Sequence, residues 1–131
     1  MKKLSIAVLV IVCILSGCKP AKSALSPGEL VSELAALTVQ DDSDALLTFF
    51  HDTVEYNSPD TYLLAETKNE MKSFIESVFI PAYTNTSVYK TGCYTISTNT
   101  DYLIIYGGDK SQSFNLFATT NDLRIFRIDS Y

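Results

Sequence analysis

The chain has 131 residues, with 10 Lys and Arg against 15 Asp and Glu, a formal charge of −5. That balance argues against a nucleic-acid partner and against an electrostatic hold on anionic lipid, both of which need clustered cations. Three cysteines and a single histidine supply no metal-ligating cluster, so neither a metal nor a cofactor is expected.

Met1-Lys2-Lys3 precedes an apolar run from Leu4 to Leu15, which closes on Ser16-Gly17-Cys18. A run of this length suits a signal-peptide core and falls short of the ~20 residues that a spanning helix needs. Leu15-Ser16-Gly17-Cys18 resembles the lipobox of bacterial lipoprotein precursors, in which the cysteine is lipidated and everything before it is removed. The resemblance implies a signal peptide over residues 1–17 and lipid on Cys18. Diacylglyceryl and N-acyl chains together would anchor stably, where one chain binds only marginally.

Lys2 and Lys3 would leave with the leader, so that 8 basic residues face 15 acidic ones over a mature 114-residue chain, a formal −7. Lipid, and not charge, would then supply the membrane attachment. Residues 18–24 read as a tether whose Lys19–Ala24 stretch reaches only about 20–25 Å when extended. Lys19 is not the aspartate that tends to retain enterobacterial lipoproteins in the inner membrane. By that likeness the expected location is the outer membrane of the cell envelope, in an organism that has one. Cys13 leaves with the leader and Cys18 takes lipid, which makes Cys93 an ordinary thiol, read as a small buried or half-buried strand residue.

Residues 25–131 read as one domain. Ser26-Pro27-Gly28-Glu29 starts a helix with a cap, a first-turn proline and a capping-box acid, and Leu30, Leu34 and Leu37 share one face with Val31 beside them. Asp41-Asp42-Ser43-Asp44 interrupts it and places acids at the positive end of a second helix. That helix carries Leu46, Leu47, Phe49 and Phe50 and is expected to end near His51-Asp52. Thr53–Tyr56 reads as a short strand stopped by Asn57-Ser58-Pro59-Asp60.

Thr67 and Glu70 open a third helix as a capping box. Met71, Phe74, Ile75, Val78 and Phe79 form its apolar stripe, and Pro81 is expected to end it. Four strands follow, at Val88–Thr98, Tyr102–Tyr106, Ser113–Thr119 and Leu123–Ser130, with turns at Gly107-Gly108-Asp109 and Thr120-Asn121-Asp122. The expected class is α+β: three N-terminal helices packed on a curved antiparallel sheet.

This order of elements resembles the NTF2-like superfamily, a cone-shaped α+β fold, from about Ser26 to Tyr131. Its most specific stretch is Ala45–Glu55, where His51-Asp52 leads into Thr53-Val54-Glu55 as in ketosteroid isomerases and polyketide-cyclase-like members. Asn121–Asp129 is similar to their last hairpin. In the isomerases a carboxylate base follows the Thr-Val-Glu-like stretch and a tyrosine on the first helix donates to the oxyanion. Here the base position is Tyr56, and no tyrosine lies between Ser26 and Gln40. A hydroxyl with an ordinary pKa near ~10 is no base at neutral pH.

The remaining catalytic candidates are His51 and Asp52, as an acid–base pair of the dehydratase type, and Asp129 near the open end of the last strand. Against them, His51 at a helix end interacts well with the helix dipole. Tyr94, Tyr102, Tyr106, Phe114, Phe117 and Phe126 read as core and sheet face. The expected function is therefore a non-catalytic, membrane-anchored binding module for an envelope protein partner or a small apolar ligand. Two alternatives stand beside it: a small-molecule enzyme of the polyketide-cyclase or dehydratase type, and an assembly (pilot) or surface-exclusion lipoprotein.

Overall fold

The computed structural model describes residues 25–108 and 112–131. The leader, Cys18 and the tether lie outside them, as does Asp109 of the expected turn. Helices α1 (Pro27–Val39) and α2 (Ser43–Leu47) precede the hairpin of β1 (Phe50–Asn57) and β2 (Tyr62–Ala65). A second helical run follows: α3 (Lys68–Phe74), a π-helical turn (Ile75–Phe79), α4 (Ile80–Asn85) and α5 (Ser87–Thr91). Strands β3 (Thr95–Thr98), β4 (Tyr102–Gly108), β5 (Ser113–Thr119) and β6 (Ile125–Ser130) complete one six-stranded sheet, ordered β2-β1-β6-β5-β4-β3.

The expected capping hydroxyls open both helices, and Thr67 with Glu70 completes the reciprocal side-chain bond of a capping box. Ser26 Oγ accepts from Glu29 N at 3.2 Å and opens α1, which buries Leu30, Val31 and Leu34. Thr67 Oγ1 accepts from Glu70 N at 3.2 Å, while Glu70 Oε2 accepts from Thr67 N at 3.1 Å and Glu66 N at 2.9 Å. The amides of Glu66 and Thr67, then the Thr67 hydroxyl, hold the Glu70 carboxyl below its ordinary pKa against a small opposing effect of burial. Met71, Phe74, Ile75 and Phe79 of the expected stripe are buried, and Val78 is half-buried.

Elsewhere the structure corrects the expectations. The second helix ends at Leu47 with Thr48 as its cap, and β1 begins at Phe50, so His51 and Asp52 are strand residues and not a helix terminus. The register of β1 against β6 jumps from Phe50↔Ile125 to Glu55↔Arg127, which makes His51–Val54 a bulge. Among the described residues α1 and α2 precede the first strand, and the third helix enters after β2 and before β3, so the helices do not all lie N-terminal to the sheet. The sheet is mixed, because β6 runs parallel to β1. The hairpins of β3–β6 alternate in direction, and β6 returns beside β1 after the second helical run and strands β2–β5, the long connection that parallel pairing requires.

Pro81 does not end the helical run. It sits in the first turn of α4, directly after the π turn, whose wider ladder accommodates a residue without an N–H. The long strand expected at Val88–Thr98 is a helix followed by a short strand. Gly92 adopts φ +76° as the cap of α5 and turns the chain, leaving Cys93 exposed rather than buried. Gly107 and Gly108 belong to β4 instead of a turn. Tyr89 explains the first of them: a Cβ on Gly107 would stand 2.5 Å from its ring, and the Tyr89 hydroxyl donates to the carbonyl of Phe114 across the next strand.

The core lies between the helices and one sheet face. Val54 and Tyr56 of β1, Leu103 and Ile105 of β4, Phe114, Leu116 and Ala118 of β5, and Ile125 and Ile128 of β6 meet Leu30, Leu34, Phe74, Ile75 and Phe79 from the helices. On the other face Tyr102, Phe117 and Phe126 form a half-buried triad with ring centroids 6.0–6.4 Å apart.

Candidate functional site

The core between the helices and the sheet is packed with rings. Tyr56, which the sequence resemblance sets at the position of the isomerase base, is only 9% exposed and packs against Phe74 at 5.6 Å between centroids. Phe50 meets Phe79 edge-on at 5.0 Å, Phe79 stacks on Tyr83 at 5.1 Å, and Tyr83 stacks on Tyr89 at 4.9 Å. Burial pushes the Tyr83 hydroxyl far up from its ordinary pKa, with Tyr89 and Tyr94 adding to it; burial likewise raises Tyr89. Both stay protonated and donate to backbone carbonyls, Tyr83 to Val31 at 3.3 Å and Tyr89 to Phe114, with the Ile105 carbonyl also within 3.3 Å of the Tyr89 hydroxyl. These hydroxyls tie the helical layer and the strands together; they are not aimed at an open pocket.

His51 and Asp52 open onto a surface cleft of about 610 Å³ between α2, the bulge in β1 and the start of α3. Leu47, Phe50 and Met71 line it together with Asp44, Glu66, Lys68 and Arg124. The bulge turns both side chains outward, and both residues are exposed. Neither is hydrogen-bonded through its side chain or ion-paired to another described residue, so the structure brings them to one cleft without making them an acid–base couple. Two cations near this region are already engaged: Lys72 with Asp44 at 3.1 Å, and Arg124 with Asp122 at 3.7 Å. Such exposed pairs contribute little to stability.

Asp129 lies on the opposite side of the sheet from the core. Its Oδ1 accepts from Arg127 Nε at 2.9 Å and Asn57 Nδ2 at 3.0 Å; its Oδ2 accepts from Arg127 Nη2 at 2.9 Å and Tyr131 Oη at 3.3 Å. Asp129 is 3% exposed. Burial alone would raise its pKa, but the Arg127 guanidinium and the Asn57 amide outweigh burial and hold the carboxyl below its ordinary value. A carboxylate with every lone pair engaged is a structural pin across β1, β6 and the chain end, not a free base. The β6 register pairs Asp129 with Asn57 and Asn115, on the face away from the helices.

Among the described residues no group of three or more His, Cys, Asp or Glu side chains is placed to hold a metal. Sequence reasoning missed the exposed apolar edge of β2, because Tyr62-Leu63-Leu64-Ala65 shows neither alternation nor helical spacing.

No family model and no curated protein matches the chain. Solved structures do. An NTF2-like protein with a cystatin-like fold from Novosphingobium aromaticivorans superposes with a TM-score of 0.53 at 12% identity, covering 89% of this chain and 86% of that one. The domain has the NTF2-like fold. A Catenulispora acidiphila protein with a ketosteroid isomerase-like fold, solved in complex with trimethylamine, aligns at 14% identity over 82% of this chain and 86% of its own, with a TM-score of 0.46. At such identities the likeness gives the NTF2-like architecture alone, and activity has to be read from the side chains.

Proposed function

We propose that the protein is a lipid-anchored envelope lipoprotein whose NTF2-like domain binds a protein partner without catalysing a reaction. The observation that carries this reading is the filled interior. Tyr56, Phe74, Phe79 and Tyr83 occupy the space that a substrate would need, and Tyr56 stands where the sequence resemblance sets the isomerase base. Exposed apolar side chains on a folded domain favour contact with another macromolecule. Leu63 and Leu64 on β2 are 39% and 41% exposed, and Tyr62 beside them 59%.

A second reading, a small-molecule enzyme, has one observation in its favour: His51 and Asp52 line the same cleft. It stands second because no described residue orients either of them.

The anchor is tested by mass spectrometry and detergent partitioning. The mature protein is expected to lack residues 1–17 and to carry diacylglyceryl and acyl groups on Cys18. Cys18→Ser should block this maturation. Normal processing and unchanged detergent partitioning of that variant would contradict the lipoprotein assignment.

A further inference from the structure

We propose that the free edge of β2 is a strand-addition site, which takes an extended segment of a partner protein with an apolar centre and a basic residue at each end. The proposal deepens the binding-module reading and rests on it. Strand β2 pairs with β1 on one side and with no described strand on the other, so alternate N–H and C=O groups along it stay open for a peptide to pair with. The opposite edge, β3, reads Thr-Ile-Ser-Thr and is mostly polar. The β2 edge reads Tyr-Leu-Leu-Ala. Beside it runs a groove of about 330 Å³ whose floor includes Leu63, Ala65, Phe74 and Val78. A peptide strand laid along β2 would drop alternate apolar side chains into that groove.

Charge decides the occupant. Asp60, in the Ser58–Thr61 turn that leads into β2, and Glu66, the residue after the strand, are exposed acids at the two ends of the edge strand; Glu66 also lines the cleft beside His51, and Glu70 adds a carboxylate to the groove itself. A second copy of this chain is disfavoured in either direction. Antiparallel pairing would set Asp60 of one copy near Glu66 of the other at both ends, and parallel pairing would set each acid beside its own counterpart. A peptide with lysine or arginine at both ends gains two ion pairs where a second copy meets two repulsions. Placement agrees with this. Gly28 near the start of α1 packs on Tyr94, directly before β3, where an added Cβ would stand 3.2 Å from Tyr94 Oη. A domain tethered from the start of α1 therefore holds its β3 edge by the anchor. It presents β2 five strand spacings away, roughly 24 Å across the sheet.

The test uses the full chain in mild detergent with three capped heptapeptides as probes. One has lysine at both ends and alternating valine and threonine between them; the second has glutamate at both ends; the third carries proline at its centre. Binding is followed by hydrogen exchange of the β2 amides. The lysine-ended probe is expected to slow exchange in residues 62–65 and to bind about tenfold more tightly than the glutamate-ended one, the effect of two exposed ion pairs. The proline probe, which breaks the ladder, should not protect β2. The double reversal Asp60→Lys with Glu66→Lys leaves the core untouched and should invert the preference between the charged probes. The proposal is overturned if the lysine-ended probe fails to protect β2, if the reversal leaves the preference unchanged, or if β2 is protected without peptide in a concentration-dependent manner, which would mark a second copy as the occupant. A silent β2 edge beside a lipidated Cys18 and an unperturbed filled interior would remove this site and leave the binding module standing.

Discussion

Phe74→Asp is expected to leave the domain unfolded at room temperature. Phe74 is 6% exposed and sits between Phe50, at 6.3 Å, and Tyr56, at 5.6 Å, where α3 presses on the first strand. Losing the ring alone costs about 3–5 kcal/mol, and an unpaired buried carboxylate adds several more. A domain of this size holds only about 5–15 kcal/mol in reserve. Phe74→Leu keeps an apolar side chain at the site and should cost about 1–2 kcal/mol, leaving a cooperative transition at lower temperature. Thermal unfolding followed by circular dichroism separates the two. Unchanged stability of the aspartate variant would mean that the buried face of α3 is misassigned.

Arg127→Ala is expected to have the second-largest effect, and the effect should depend on pH. The guanidinium makes two 2.9 Å bonds to Asp129, whose side chain is 4% exposed. Breaking a buried pair costs about 3–5 kcal/mol; the arginine side chain is 43% exposed, so solvent screening places the expected loss at about 2–3 kcal/mol. The sign follows from the carboxyl. In the native protein its pKa is below the unfolded value near ~3.9, so its stabilisation is present above that pH and is lost as pH falls through the lower folded value. Without Arg127, burial dominates and raises the folded pKa, so the variant is hurt most at neutral pH and recovers as Asp129 protonates. Urea unfolding at pH 7 and pH 4 should therefore show the gap between native and variant protein narrowing toward acid. A gap that stays constant or widens would mean that Asp129 is not held by this pair.

What could be read from the chain was what neighbouring residues decide among themselves. Thr67 and Glu70 close their capping box within four residues, and Ser26 Oγ caps its helix by accepting from Glu29 N, so both helix starts were legible. The stripe of the third helix was legible because periodicity records which side faces the core. The rest was set by distant partners. Phe49 and Phe50 look helical beside Leu46 and Leu47, yet Phe49 O accepts from Ile125 N at 2.9 Å, and the last strand draws this segment into the sheet. Gly107 looks like a turn residue until Tyr89 is seen to need the space. The expected ends at Pro81 and His51 failed for the same reason: π turns and bulges answer to packing, and a stop residue is a local rule.

The candidate site followed the same division. Tyr56 as the residue in the base position was visible in the sequence, and its consequence was not, because filling a cone depends on which rings meet across elements. Asp129 could be named as a titratable residue near the chain end. Its four hydrogen bonds come from Asn57, Arg127 and Tyr131, and no local pattern announces the first of these.

The central claim, that the interior of this NTF2-like domain is occupied by its own side chains, is tested most directly by NMR of the full chain titrated with planar apolar ligands of steroid size. The account predicts no saturable shift of the Val54, Tyr56, Phe74 and Phe79 resonances, since these side chains are buried and the aromatic ones pack ring on ring. Saturable shifts at those four residues, with exchange slowed in the strands around them, would show a pocket that opens to a ligand and would contradict it.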